Sequence, residues 1–204
     1  MKQDWRNNEV DVDDGKILKR AARGDETAFL LLYERHCDAL FRFTCGLVGQ
    51  AEAAEEITHD CFLSLIRQPL RFDSSKASLR TYLFAAARNL AFKHFRRTAR
   101  EVLVDEVPDE FSSLGIDEPL RKLLSEEVSN KVQEAIAKLP PLQREALLLF
   151  EYEGLSLAEI AQVVGMDVGA VNARLHRARA GLRRLLAPYF KSTYEVASVG
   201  GELL

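Results

Sequence analysis

Side chains suited to grip another molecule are densest in the last third of the chain. Asn172, Ala173, His176 and Arg177 follow one another at the spacing of one helix face, with Arg174, Arg179, Arg183 and Arg184 around and beyond them. Amide, imidazole and guanidinium groups arranged in this way offer hydrogen bonds to base edges, and further arginines offer charge to phosphates. Arg177 and His176 are the best placed for base edges, Asn172 and Ala173 for the groove floor, and Arg174, Arg179, Arg183 and Arg184 for phosphates. Serines, histidines and aspartates elsewhere lack the context of a nucleophile elbow or a phosphate loop. The chemistry expected is therefore binding, with no catalytic residue, no cofactor and no metal.

Two elements must position this face. In Leu155-Ser-Leu-Ala-Glu-Ile-Ala-Gln-Val-Val-Gly-Met, Ser156 and Glu159 have the spacing of a capping box, and Gly165 supplies the left-handed residue that ends a short helix. Asp167 can cap the next helix, and Pro188 is expected to stop it. Val171, Leu175, Ala178, Leu182 and Leu185 recur at spacings of four and three, which gathers them on one buried stripe and turns Asn172, Ala173, His176 and Arg177 away from it. A short capped helix, a glycine turn and a basic second helix predict a helix-turn-helix that enters a DNA major groove.

The net charge of −3 over 204 residues hides strong segregation. Lys76, Arg80, Arg88, Lys93, Arg96, Arg97 and Arg100 occur with no acid between residues 76 and 100. Between 101 and 127, Glu101, Asp105, Glu106, Asp109, Glu110, Asp117, Glu118, Glu126 and Glu127 face only Arg121 and Lys122. Such blocks, more than the overall charge, point to a polyanionic partner. Cys37, Cys45 and Cys61 form no CxxC pair and read as small core residues in a reducing compartment. The polar, acidic start does not read as a signal peptide. No apolar run approaches the ~18 residues that a membrane helix needs.

Helical periodicity recurs along most of the chain and alternating strand patterns do not, so the class expected is all-α. Residues 1–14 are polar and read as disordered. From about Lys16 a short helix runs to Gly24. Asp25 caps a long one with Phe29, Leu32, Tyr33, His36, Leu40 and Phe43 inward, and a third covers about Ala51 to Gln68 on Ala54, Ile57, Cys61 and Leu65. A fourth, about Ser78 to Arg97, is expected to bury Leu79, Tyr82, Leu83, Ala86 and Leu90, with Phe95 at its end. Pro108, Gly115 and Pro119 within the acidic block predict a flexible linker over 99–125. Two small helical domains follow, 15–98 and 126–187, with a tail at 188–204.

This constellation resembles the bacterial ECF (extracytoplasmic function) sigma factors over about residues 16–187. Leu139-Pro-Pro-Leu-Gln-Arg-Glu-Ala-Leu-Leu-Leu, Glu153-Gly-Leu-Ser-Leu-Ala-Glu-Ile-Ala and Val168-Gly-Ala-Val-Asn-Ala-Arg-Leu-His-Arg-Ala-Arg are similar to the family's fourth region. Ala54-Glu-Glu-Ile-Thr-His-Asp-Cys-Phe-Leu-Ser-Leu resembles its polymerase-gripping helix, and Tyr82-Leu-Phe-Ala-Ala-Ala-Arg-Asn-Leu-Ala its promoter-melting helix. His59 stands where the family usually has Gln, Asp60 where it often has Glu, and Tyr82 where Trp is common.

The resemblance implies a cytoplasmic factor that joins core RNA polymerase through the β′ clamp and β flap and directs initiation at promoters, with an anti-sigma protein as a further possible partner. Glu55, Glu56, His59 and Asp60 would meet polymerase. Arg88, Asn89, Lys93, Arg96 and Arg97 would hold the −10 strand, the loop Phe72 to Lys76 would receive a flipped base, and the basic helix would read the −35 duplex. The competing reading is a stand-alone helix-turn-helix regulator with a helical effector domain, which would bind promoter DNA tightly without polymerase.

Overall fold

The computed structural model describes the backbone of residues 6–101 and 121–199, and the side chains of residues 14–98 and 128–189. Eight α-helices occur in that span, with no strand among the described residues: α1 (Arg6–Ala21), α2 (Glu26–Val48), α3 (Ala51–Arg67), α4 (Leu79–Glu101), α5 (Arg121–Ala137), α6 (Pro141–Leu147), α7 (Leu157–Val164) and α8 (Val168–Val199). A 3₁₀ turn at Pro69–Arg71 follows α3, and a π-turn at Leu148–Tyr152 extends α6. Of the segment expected to be a linker, 99–125, residues 99–101 continue α4 and 121–125 open α5, which shortens it at both ends, and the rest lies outside the described residues.

In the first half, α1, α3 and α4 pack around α2. Asp25 starts α2 as expected, its carboxylate accepting from the Ala28 amide at 3.0 Å. Leu32, Leu40 and Phe43 are buried from α2, and Ala54, Ile57, Cys61 and Leu65 from α3. Between them, Thr44 and Thr58 share a buried hydrogen bond of 3.2 Å, which satisfies polar groups that burial would otherwise penalise. On α4 the inward stripe is rotated from the expected one. Leu79, Leu83, Phe84, Ala87 and Ala91 form it, and Tyr82, Ala86, Leu90 and Phe95 are half-buried at its edge. Phe84 meets Phe43 edge to face at 5.3 Å.

Two terminal expectations are corrected. α1 begins at Arg6, ahead of the expected start near Lys16, and Asp14 is fully buried, its carboxylate held by Arg35 and by His36 Nε2 at 2.7 Å. A buried carboxylate with two partners anchors what an acidic, polar composition suggested was loose. Pro188 does not stop α8, which continues to Val199. Proline removes one amide and crowds the preceding turn, but here the helix passes through it.

In the second half, α5, α6 and α7 pack around α8. Pro141 occupies the first turn of α6, where its missing amide costs nothing. Gly181 lets α8 approach the α5–α6 corner, since a Cβ there would lie 2.9 Å from Leu139 Cδ2. The halves are not separate bodies. One continuous hydrophobic cluster runs through both, with α4 against α7 and α2 against α5, α6 and the π-turn.

Candidate nucleic-acid and polymerase interface

The helix-turn-helix forms as its residues dictate. The Ser156 side chain accepts from the Glu159 amide at 3.2 Å, and the Glu159 carboxylate accepts from the Ser156 amide at 2.8 Å. Gly165 ends α7 at φ 68°, and Asp167 accepts from the Ala170 amide at 2.8 Å to start α8. Val171, Leu175 and Ala178 are buried, whereas Asn172, Ala173, His176 and Arg177 are exposed together on the opposite side of α8. Arg183 and Arg184 extend the positive surface. Arg179 is already engaged, with Nη2 2.6 Å from Glu151 Oε1 and its guanidinium over the Phe150 ring.

Arg174 departs from its expected place among the phosphate-holding residues. It is 9% exposed and donates to Glu145 Oε1 at 2.7 Å and to the Met166 sulfur. Its position, three after Val171 and one before Leu175, puts it on the edge of the buried stripe, where it ties α8 to α6.

Glu55, Glu56, His59 and Asp60 are all exposed on one side of α3, away from Ala54, Ile57 and Cys61. Asn89, Lys93, Arg96 and Arg97 are exposed on α4 or near its surface. An open cleft of about 590 Å³ lies between these two helices, with Glu56 and Asp60 on one wall and Lys93, Arg96 and Arg97 on the other. In the loop before α4, Phe72 stacks edge-on against Tyr82 at 5.6 Å, and Asp73 turns the chain by accepting from the Ser75 amide at 3.0 Å.

Arg88 is set apart from its neighbours on α4. It donates from Nε to Glu145 Oε2 at 2.7 Å and covers the Phe92 ring at 4.8 Å. Glu145 thus joins one arginine from each half, Arg88 and Arg174. A second carboxylate sits at the same seam. Glu153 has 1% side-chain exposure, lies 3.4 Å from Arg42 and 3.8 Å from Arg80, and Arg80 also donates to its backbone carbonyl. Arg144 crosses the seam as well, donating to the Leu47 carbonyl at 2.9 Å. Burial pushes the carboxyls of Glu145 and Glu153 above the usual range, and their arginines pull them back part of the way.

Glu145, Glu153 and Arg42 were not among the residues expected from sequence to matter, and Arg80 entered only as one charge of the basic block. For Glu145 a signal existed: an acid directly before the apolar run Ala146-Leu-Leu-Leu-Phe sits where the helix turns inward, and a charge there needs a partner.

An exposed basic helix behind a helix-turn-helix turn, an acid-faced helix and a cationic helix share one all-α scaffold, an arrangement that fits a promoter-binding initiation factor. Comparison with known proteins agrees. Residues 32–101 match the Sigma-70 region 2 family and residues 129–182 match Sigma-70, region 4. The RNA polymerase sigma-H factor of Pseudomonas aeruginosa is 30% identical over 186 residues, covering 87% of this chain and 96% of that protein. The ECF RNA polymerase sigma factor BldN of Streptomyces coelicolor is 32% identical over 174 residues, covering 84% of this chain and 65% of BldN. The solved structure of CnrH in complex with the cytosolic domain of CnrY superposes with a TM-score of 0.62 at 27% identity, covering 86% of this chain and 97% of CnrH. The chain belongs to the ECF RNA polymerase sigma factors. It is a sigma factor that directs promoter-specific transcription initiation, and it is not an enzyme.

Proposed function

We propose a residue-level division of labour on this scaffold, in the cytoplasm, where polymerase works. The carrying observation is the geometry of α8: four side chains competent for base contact share one exposed face, directly behind a capped turn that fixes their approach. Arg177 and His176 read base edges of the −35 duplex, Asn172 and Ala173 lie against the groove floor, and Arg183 and Arg184 hold phosphates. Arg179 reaches a phosphate only by leaving Glu151. Arg174 holds the recognition helix in place.

Glu55, Glu56, His59 and Asp60 present an acid-rich surface to basic residues of the β′ clamp helices, and the second domain meets the β flap. Arg88, Asn89, Lys93, Arg96 and Arg97 hold the displaced −10 strand, mainly by phosphate contacts that weaken with salt. Capture of a flipped base in the Phe72–Lys76 loop offsets an unstacking cost of a few kcal/mol, so strand opening needs no nucleotide hydrolysis. The likeness to CnrH, solved in complex with the cytosolic domain of CnrY, supports a further protein partner, for which the family resemblance suggests an anti-sigma protein.

Reversing charge at Glu55, Glu56 and Asp60 tests the polymerase assignment. Because all three are exposed, the variant should fold and melt like the wild type while losing at least tenfold in affinity for core polymerase. Unchanged affinity would assign α3 a solvated role only.

A further inference from the structure

None of the roles assigned above uses α1. Its inward side is Ile17, Leu18 and Ala21, and beside them lies the fully buried Asp14. Both oxygens of that carboxylate are gripped by side chains of α2, Oδ1 by Arg35 and Oδ2 by His36 Nε2 at 2.7 Å. The next residue, Gly15, faces the loop that leads into α4. A Cβ on Gly15 would lie 3.8 Å from Ser74 Cβ and 4.0 Å from Ser74 Oγ.

We infer that α1 is the back support of the base-receiving loop Phe72 to Lys76, and that Asp14 is a positioning residue which, through Gly15, sets that loop for the choice of one −10 base. The inference rests on the assignment of the loop to the flipped base. Contacts within the loop give it shape. Phe72 lies edge-on to Tyr82 at 5.6 Å, and Asp73 accepts from the Ser75 amide at 3.0 Å and hydroxyl at 2.6 Å and pairs with Lys76 at 3.2 Å. They do not set where the tip stands, because Asp73, Ser74, Ser75 and Lys76 are all exposed. Gly15 gives that tip a stop from outside the loop.

An apolar residue at position 14 would bury this side of α1 equally well, so the carboxylate calls for another reason. Apolar contacts at Ile17, Leu18 and Ala21 are non-directional and let a helix slip along its neighbour. A carboxylate held on both oxygens by directional partners fixes height and rotation together. Gly15 follows Asp14 directly, so a shift at Asp14 reaches Ser74 with no element between. Capture of an extruded base must offset an unstacking cost of a few kcal/mol, and it does so only while the receiving groups are held by supporting contacts near the productive geometry. Glycine sets the spacing of that support. A methyl group at position 15 would make ordinary contact with Ser74, whereas a longer side chain would take its place.

The test is transcription from a promoter library randomised at the −10 element, by holoenzyme assembled from bacterial core polymerase and the full-length protein. Base preference at each position is a ratio among transcripts, so it does not depend on how much holoenzyme is active. Gly15→Leu pushes Ser74 aside, and Asp14→Asn keeps the side chain's shape but gives up one acceptor oxygen. Each should weaken the preference at one −10 position about threefold or more, the scale of a residue that acts through another. Preferences at the other −10 positions and at the −35 element should stay, and Gly15→Ala should keep the wild-type pattern throughout. A purely structural role for α1 would lower transcript yield and leave every preference unchanged. That result, or an equal loss at all positions, overturns the inference. Asp73→Ala, which releases Ser75, tests the loop itself. If it shifts the preference at that position and Gly15→Leu does not, the loop assignment stands and the positioning role is overturned; if it shifts none, the loop assignment falls and the inference with it.

Discussion

Single residues on α8 differ in role although they look alike in the sequence. Arg174 and Arg177 are three apart, both arginine, both within the basic run, yet one is buried on Glu145 and the other is exposed. Their substitutions should separate cleanly. Arg177→Ala should leave the melting temperature unchanged and cost about 1–3 kcal/mol on a matched −35 duplex, with little loss on a mutated one. Arg174→Ala strips a partner from a buried carboxylate, so it should destabilise the fold by roughly 1–3 kcal/mol. Equal losses by Arg177→Ala on matched and mutated duplexes, in fluorescence titrations with polymerase present, would remove it from base reading. The exposed face of α8 was legible because Val171, Leu175 and Ala178 define the buried side. The fate of Arg174 was not, since helical phase places it at the stripe's edge and its partner Glu145 lies 29 residues away.

At the scale of elements, local rules carried furthest where a cap or a glycine fixes the backbone. The α7 start, the Gly165 turn, the α8 start and the Asp25 cap all form with the partners their spacing implies. Removing the α7 cap by Ser156→Ala should cost about 1 kcal/mol, measured by urea unfolding, and should lower −35 binding no more than that loss of folded protein explains. A reduction in binding without any loss of stability would place Ser156 on DNA instead. The misread elements have tertiary causes. Asp14 extends the ordered region toward the N-terminus through contacts with Arg35 and His36, about twenty residues away. The α4 stripe is rotated because that helix is packed from both halves of the molecule, so its polar and apolar sides are not those of a helix on one small domain.

For the whole molecule, composition and periodicity gave the all-α class and two helical halves, which the family matches support. How the halves meet was not legible, because a seam of Glu145, Glu153, Arg42, Arg80 and Arg88 has no short-range pattern. That seam has a pH signature. Burial raises the carboxyls of Glu145, faced by Arg88 and Arg174, and of Glu153, faced by Arg42 and Arg80. Relative to the unfolded chain, in which water reaches both groups, the folded form binds more protons at these two carboxyls. Its extra stability is then present below the ordinary carboxyl pKa and is lost as pH rises through the raised values. Urea unfolding should show this contribution largest in mild acid and falling as pH rises through the raised carboxyl values. A wild-type stability that rises with pH across that window relative to Glu153→Gln would reverse the sign and contradict the account of the seam.

The most direct measurement is transcription from a promoter library by bacterial core polymerase, with and without this protein. The account predicts specific transcripts only when both are present, with promoters enriched for one −35 and one −10 element and dependence on Arg177 for the first. The same transcripts from core polymerase alone, or tight promoter-specific binding by the protein without polymerase, would contradict it.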